Sequence, residues 1–273
     1  MNDFIGESSL KYKSETILER RRRILRETRN LIAETGYRSF NVRDLCARAG
    51  IAQKTLYNAF GSKEKVVASA IQQYIIEFNE KTNFRFDQST LDGVLEGTLK
   101  IQSENMRVRA YTHAIVSIFN SLETDNVIRV AIRDFCETGN RPFVEEIRRQ
   151  NGLAPGVSAS RLSHQLVTTA FATTADWCLG EIADEEFLDC ACETLLVTIA
   201  ASTRGRVNLQ ARRWLEDLRE GRASWVALRQ MAEVDKTPAD AIVVTPKLKA
   251  RRRRAVKDKA ARAAAAPKRL AVG

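Results

Sequence analysis

Between Gly50 and Glu64 the sequence reads GIAQKTLYNAFGSKE, which crowds amide, hydroxyl, phenol and ammonium groups onto barely two turns of helix. Gln53, Lys54, Thr55, Tyr57 and Asn58 can all hydrogen-bond, and none stands in an arrangement that would make it a nucleophile or a general base. The rest of the chain does not supply one. It holds two histidines, His113 and His164, and no H-E-x-x-H, G-x-S-x-G, phosphate loop or dinucleotide glycine fingerprint. No catalytic residue, metal site or cofactor is expected, and the chain does not read as an enzyme.

The cysteines are Cys46, Cys136, Cys178, Cys190 and Cys192. An odd count, with no secretory pattern after Met1, argues against a disulfide framework. Cys190 and Cys192 lack the C-x-x-C spacing, so small buried thiols are the plain reading and a redox or metal site the sharper one.

The charge is unevenly spread. Residues 1–65 carry +6, residues 66–246 carry −6, and residues 247–273 carry +10, which together make the net +10. Two separate basic segments flanking an acidic body suggest a polyanionic partner, nucleic acid first. An apolar share of 44% is ordinary for a soluble protein. No run approaches the ~18 apolar residues of a membrane span, so no membrane association and a cytoplasmic location are expected.

The elements that must carry these groups are helical. Five Pro and 13 Gly among abundant Ala, Leu, Arg and Glu favour an all-α fold. From Ser14 to Thr35, Ile17, Leu18, Ile24, Leu25, Leu31 and Ile32 recur at helical spacing, and Gly36 offers a C-cap. Arg20 to Arg23 point in four directions around that helix, most into solvent and some within reach of phosphate. Asn41 is an N-cap and Asp44 suits the helix dipole. Val42, Leu45 and Ala49 form a short apolar face that stops at Gly50. A second short helix turns Leu56 and Phe60 inward. Two short helices joined by a glycine turn make a helix-turn-helix, with Cys46 at the crossing. An ordinary helical hairpin is the alternative, and the polar load on the second helix argues against it.

Residues 24–67, ILRETRNLIAETGYRSFNVRDLCARAGIAQKTLYNAFGSKEKVV, resemble the N-terminal DNA-binding domain of the tetracycline-repressor (TetR) family. The resemblance lies in the E-T-G-Y helix end, F-x-V-R-D-L, A-G-I, and T-L-Y-x-x-F-x-S-K-E, without gaps. Two positions depart from the pattern. Ala52 stands where a capping Ser or Thr is usual, and Cys46 where Ala is usual. The resemblance implies that the second short helix enters the major groove of an operator. There Gln53, Lys54, Thr55 and Asn58 would read base edges. Tyr57 and Lys63 would hold phosphates, with Asn41, Val42 and Arg43 against the opposite strand's backbone.

The expected organisation is a helix-turn-helix domain over 1–65, a helical effector-binding and dimerisation domain over 66–235, and a basic, low-complexity, disordered tail over 236–273. Helices are expected near 91–105, 108–121, 125–151, 160–179 and 184–203, with further ones carrying Trp214 and Trp225. Tyr111, His113, Phe119, His164, Phe171 and Trp177 are candidates for a small-molecule effector pocket, although both histidines also suit a core or an interface. By resemblance, the helices near 160–179 and 184–203 would form a four-helix bundle in a homodimer, with Leu188, Cys192, Leu195, Leu196 and Ile199 facing the partner. The function implied is a ligand-responsive repressor on double-stranded DNA. The alternative is a nucleoid-type architectural protein whose tail coats DNA.

Overall fold

The structure, a computed structural model, describes residues 4–234, with side-chain surroundings defined from 16 to 232. The tail expected over 236–273 therefore lies outside the described residues. Eleven helices are described, and no strand longer than a single bridge between Leu153 and Thr203.

Helix α1, Phe4–Thr35, begins ten residues before its apolar stripe. Gly36, with φ +75°, closes it. Helix α2, Val42–Ala49, starts where Asn41 caps it. The Asn41 side-chain oxygen accepts from the Asp44 backbone N–H at 2.9 Å, and its Nδ2 donates to the Asp44 carboxylate at 2.6 Å. Gly50 ends α2 in the left-handed region, φ 61° and ψ 44°, where a side chain other than Gly or Asn is strained. Helix α3, Gln53–Phe60, has no side-chain cap from Ala52, as the missing hydroxyl implied. Helix α4, Lys63–Lys81, is capped by Ser62. It carries Val66, Val67, Ala70 and Ile71 buried straight out of the helix-turn-helix.

Seven more helices form the body: α5 (Leu91–Arg107), α6 (Arg109–Asn120), α7 (Asn126–Arg149), α8 (Ala159–Leu179), α9 (Phe187–Ser202), α10 (Gly205–Arg219) and α11 (Ala223–Val234). Their apolar faces meet in one core, with Leu95 and Leu99 against Phe143, Leu162, Trp177, Phe187, Leu196 and Ile199. Each such side chain, fully buried, contributes about 1.5–3 kcal/mol by removal from water. Trp177 stacks on Phe187 at 4.5 Å, and its indole N–H donates to Asp184 at 2.8 Å. Helices α10 and α11 complete this core. The indole N–H groups of Trp214 and Trp225 donate to Asp92 at 2.8 Å and Asp189 at 3.2 Å.

The connection from α4 to α5 is held from inside. Glu96, 1% exposed, accepts from the backbone N–H groups of Arg85 and Phe86 at 2.9 and 3.0 Å. It also pairs with Lys100 at 3.1 Å. Gly93 makes this approach possible, because a Cβ there would lie 2.1 Å from the Asp87 carbonyl oxygen.

The structure corrects two expectations. Leu188, Cys192, Leu195, Leu196 and Ile199, expected to face a partner, are all buried within the single chain. His113 and His164 are exposed, so neither is a core histidine.

Candidate nucleic-acid interface and ligand cavity

Leu56 is fully buried and Phe60 is 7% exposed, and these two side chains fix the rotation of α3. That rotation leaves Gln53, Lys54, Tyr57 and Asn58 exposed, with Thr55 half-exposed. None of the five makes a side-chain hydrogen bond to another described residue. Their donors and acceptors are therefore free to meet a ligand's. At the start of α3, the lack of a side-chain cap leaves helical N–H groups and the positive end of the dipole open to an anion.

Cationic groups frame this surface. Arg43 is exposed and Val42 half-exposed at the start of α2. Lys63, in the first turn of α4, is half-buried, with its ammonium 5.1 Å from the Tyr37 ring centroid and 5.5 Å from that of Phe40. Two aromatic faces thus aim a cation whose stem is packed. Of the arginine run on α1, Arg21 lies over the Phe60 ring at 4.5 Å and Arg23 Nε donates to the Ala49 carbonyl at 3.1 Å. Both therefore reach the helix-turn-helix, although all four arginines of the run are exposed.

A cavity of about 280 Å³ lies in the body. Helix α4 lines it with Ile71, Tyr74, Ile75 and Phe78, α5 with Ile101, Gln102 and Asn105, α6 with Thr112 and Val116, and α7 with Ile132, Phe135 and Cys136. Helices α8 and α9 close it with Phe171, Thr174, Ala191 and Leu195 among others. The size is just below the ~300–1,000 Å³ typical of ligand pockets, and the mixture of apolar walls and few polar groups is typical of them.

Of the six residues expected around a ligand, only Phe171 touches this cavity. Tyr111 is buried edge-on to Tyr74, with ring centroids 5.4 Å apart. Phe119 stacks on the outer side of Phe171 at 3.8 Å. Trp177 belongs to the core, His113 faces solvent, and His164 Nδ1 lies 2.9 Å from Arg133 on the surface. Helical arithmetic could have separated them. His113 is two residues from Tyr111, roughly opposite on the same helix, whereas Thr112 and Val116, four apart, share the cavity side.

Burial pushes all five thiols up, Cys136 to about 12, so none is a thiolate nucleophile at neutral pH. Among the described residues no three His, Cys, Asp or Glu side chains gather to hold a metal ion. No described helix is long and apolar enough to cross a membrane.

Comparison with known proteins places these features. Residues 24–70 match the tetR family of bacterial regulatory proteins. The uncharacterized HTH-type transcriptional regulator YvaF of Bacillus subtilis (strain 168) is 36% identical over 75 residues, 28% of this chain and 38% of that protein. The chain thus spans well under half the length of this relative. The fold is similar to that of full-length native tylp, a tetR regulator from Streptomyces fradiae. The TM-score is 0.55 at 14% identity, over 82% of this chain and 95% of the other. It is also similar to Thermus thermophilus FadR, a TetR-family transcriptional repressor, in complex with lauroyl-CoA. There the TM-score is 0.53 at 14% identity, over 66% and 93% of the two chains.

Proposed function

We propose that this chain, which carries a tetR-family DNA-binding domain at residues 24–70, is a ligand-responsive transcriptional repressor acting as a homodimer on a near-palindromic operator. The observation that carries the reading is the outer face of α3, where Gln53, Lys54, Tyr57 and Asn58 stand exposed above the buried anchors Leu56 and Phe60. Helix α4 supports ligand response. Its first turn holds Lys63 beside the DNA-facing surface, and Ile71, Tyr74, Ile75 and Phe78 on the same helix line the cavity. A ligand that tilts α4 moves the helix-turn-helix with it. Coupling of ~1–3 kcal/mol, typical of allosteric proteins, would weaken operator binding about 5- to 150-fold. The bound lauroyl-CoA of the Thermus relative is in keeping with a body that takes small molecules.

The organisation follows from this reading: DNA binding over 1–65, effector binding and dimerisation over 66–235, and a separate basic segment over 236–273. Since α9 buries its leucines in its own chain, the partner would meet the outward faces of α8 and α9, where Thr168, Ala172, Val197 and Ala201 are exposed.

Selection of bound sequences from random duplex DNA tests the assignment of roles. Gln53→Ala and Asn58→Ala should relax preference at particular base pairs, each good base contact being worth ~1–3 kcal/mol. Tyr57→Phe and Lys63→Ala should weaken binding to every sequence about equally. A Lys63→Ala protein that selects a different sequence, beside Gln53→Ala and Asn58→Ala proteins that do not, would reverse the roles.

The basic segment is tested by salt. Its 11 Lys and Arg over residues 247–273 add affinity by counterion release, each neutralised phosphate steepening the log K against log salt slope by ~0.9. Truncation after Pro246 should leave the selected operator unchanged and make the slope shallower for operator and random DNA alike. Equal slopes for the two proteins would mean that the segment does not bind DNA. A flat selection profile lost with the segment would favour the architectural alternative.

A further inference from the structure

The cavity has a buried end and an open one. Its exposed lining residues are Asn79, Gly139 and Ala170, whereas Gln102, Thr112 and Thr174 are buried. At the buried end Asn105 Nδ2 donates to Gln102 Oε1 at 2.8 Å. The two threonine hydroxyls commit their single protons to main-chain carbonyls, Thr174 to Ala170 at 2.7 Å and Thr112 to Asn105 at 2.9 Å. The amide nitrogen of Gln102 carries two protons and donates to none of the described residues, although Gln102 is only 4% exposed. Reversing the two carboxamides changes which nitrogen is free, not the fact that one is. This donor, without a protein acceptor, lies on the wall of a cavity, where an acceptor on a ligand can meet it.

Charge is excluded from the same walls. No Asp, Glu, Lys, Arg or His is among the described residues that line the cavity. Of the ionic groups behind it, Arg29 lies beyond the Tyr74 ring and is tied to Glu77 through Nη2 at 3.1 Å, and the others are paired among themselves. Glu104 accepts the Tyr74 hydroxyl proton at 2.5 Å and pairs with Arg107 at 2.7 Å, while Lys100 pairs with Glu96 at 3.1 Å. An ionised ligand would shed its water there and meet no counter-charge.

We infer that the cavity takes a neutral amphipathic molecule, an apolar body whose terminal carbonyl or hydroxyl oxygen accepts a hydrogen bond from Gln102. This rests on the reading of the cavity as the effector site. Octanamide and octanoate share a chain length and differ in the charge of the head, so calorimetric titration of the full-length protein with each at pH 8 separates the two questions. Octanamide should bind at least ~30-fold more tightly, since a carboxylate buried unpaired forfeits several kcal/mol of hydration. Gln102→Leu should weaken octanamide by about 3- to 10-fold, the worth of one neutral hydrogen bond, and leave octanoate unchanged. Should that variant fail to fold, Gln102→Met removes the same donor from a flexible side chain. Equal affinity for the two probes, or an unchanged octanamide affinity after loss of Gln102, overturns the neutral-head inference and leaves the cavity as a ligand site. Binding of neither probe at millimolar concentration overturns the effector-site reading itself, and the inference with it.

Discussion

Leu196→Glu is expected to unfold the protomer, while Val197→Glu on the next residue leaves it folded. Leu196 is fully buried and packs in the core of its own chain with Ile199, Trp177 and Phe187. A carboxylate there has no partner and displaces well-packed carbon, a combination that places it among the rare substitutions costing more than about 4–5 kcal/mol. Against a total stability of ~5–15 kcal/mol, such a loss leaves little native protein at 37 °C. Val197 is 44% exposed, so its substitution should change protomer stability by no more than about 0.5 kcal/mol. Its effect should fall on association instead, if the outward face of α9 meets a second copy. Circular dichroism melts and sedimentation of both variants decide the matter. A Leu196→Glu protein that melts like the wild type and sediments as a smaller species would return Leu196 to a subunit interface.

That pair of residues shows where sequence reading stops. The ends of the helices were legible because caps are local chemistry. Asn41, Gly36 and Gly50 each act within four residues, and the missing hydroxyl at Ala52 was as visible as a present one. The rotation of α3 was legible as well, since Leu56 and Phe60 are the apolar positions four apart that must face inward. Helix α9 is different. FLDCACETLLVTIAAS is apolar nearly all round, so its periodicity cannot say which side meets its own chain and which meets another. Leu195 and Leu196 read alike in the sequence, yet Leu195 lines the cavity and Leu196 fills the core. The cavity itself escaped for a related reason. Its walls come from six helices, and the Gln102–Thr174 approach at 3.5 Å joins residues 72 apart. No short window holds that information. Aromatic residues and histidines stood out as candidates, while the groups that shape the buried end are amides and threonines with no pattern of their own.

Glu77→Ala is expected to destabilise the protein more than Arg29→Met, although both break the same ion pair. Arg29 on α1 is 4% exposed, and its Nη2 donates to Glu77 on α4 at 3.1 Å. Its Nε and Nη1, together with Asn30 Oδ1 and the Tyr111 hydroxyl, are buried without a partner among the described residues. Removing Glu77 strands a buried guanidinium that is already under-satisfied. The cost should lie toward the lower end of the ~3–5 kcal/mol typical of stranded buried charges, because the Glu77 side chain is 30% exposed and water screens part of its contribution. Arg29→Met removes the charge and its idle donors together and retains most of the volume. Replacing buried ionic groups by apolar ones of similar size is often neutral or better. The double variant should then recover most of what Glu77→Ala loses, and urea melts of the four proteins measure that coupling directly. A Glu77→Ala protein as stable as the wild type would mean that water already solvates Arg29. The position of the pair gives the cycle a second reading. The Arg29 guanidinium lies 5.8 Å from the Tyr74 ring centroid, and that ring is a wall of the cavity. A ligand that displaces Tyr74 therefore acts on a residue that pairs α1 with α4. Arg29→Met should keep DNA affinity and blunt its response to ligand, because the contact that would carry the displacement between the two helices is gone.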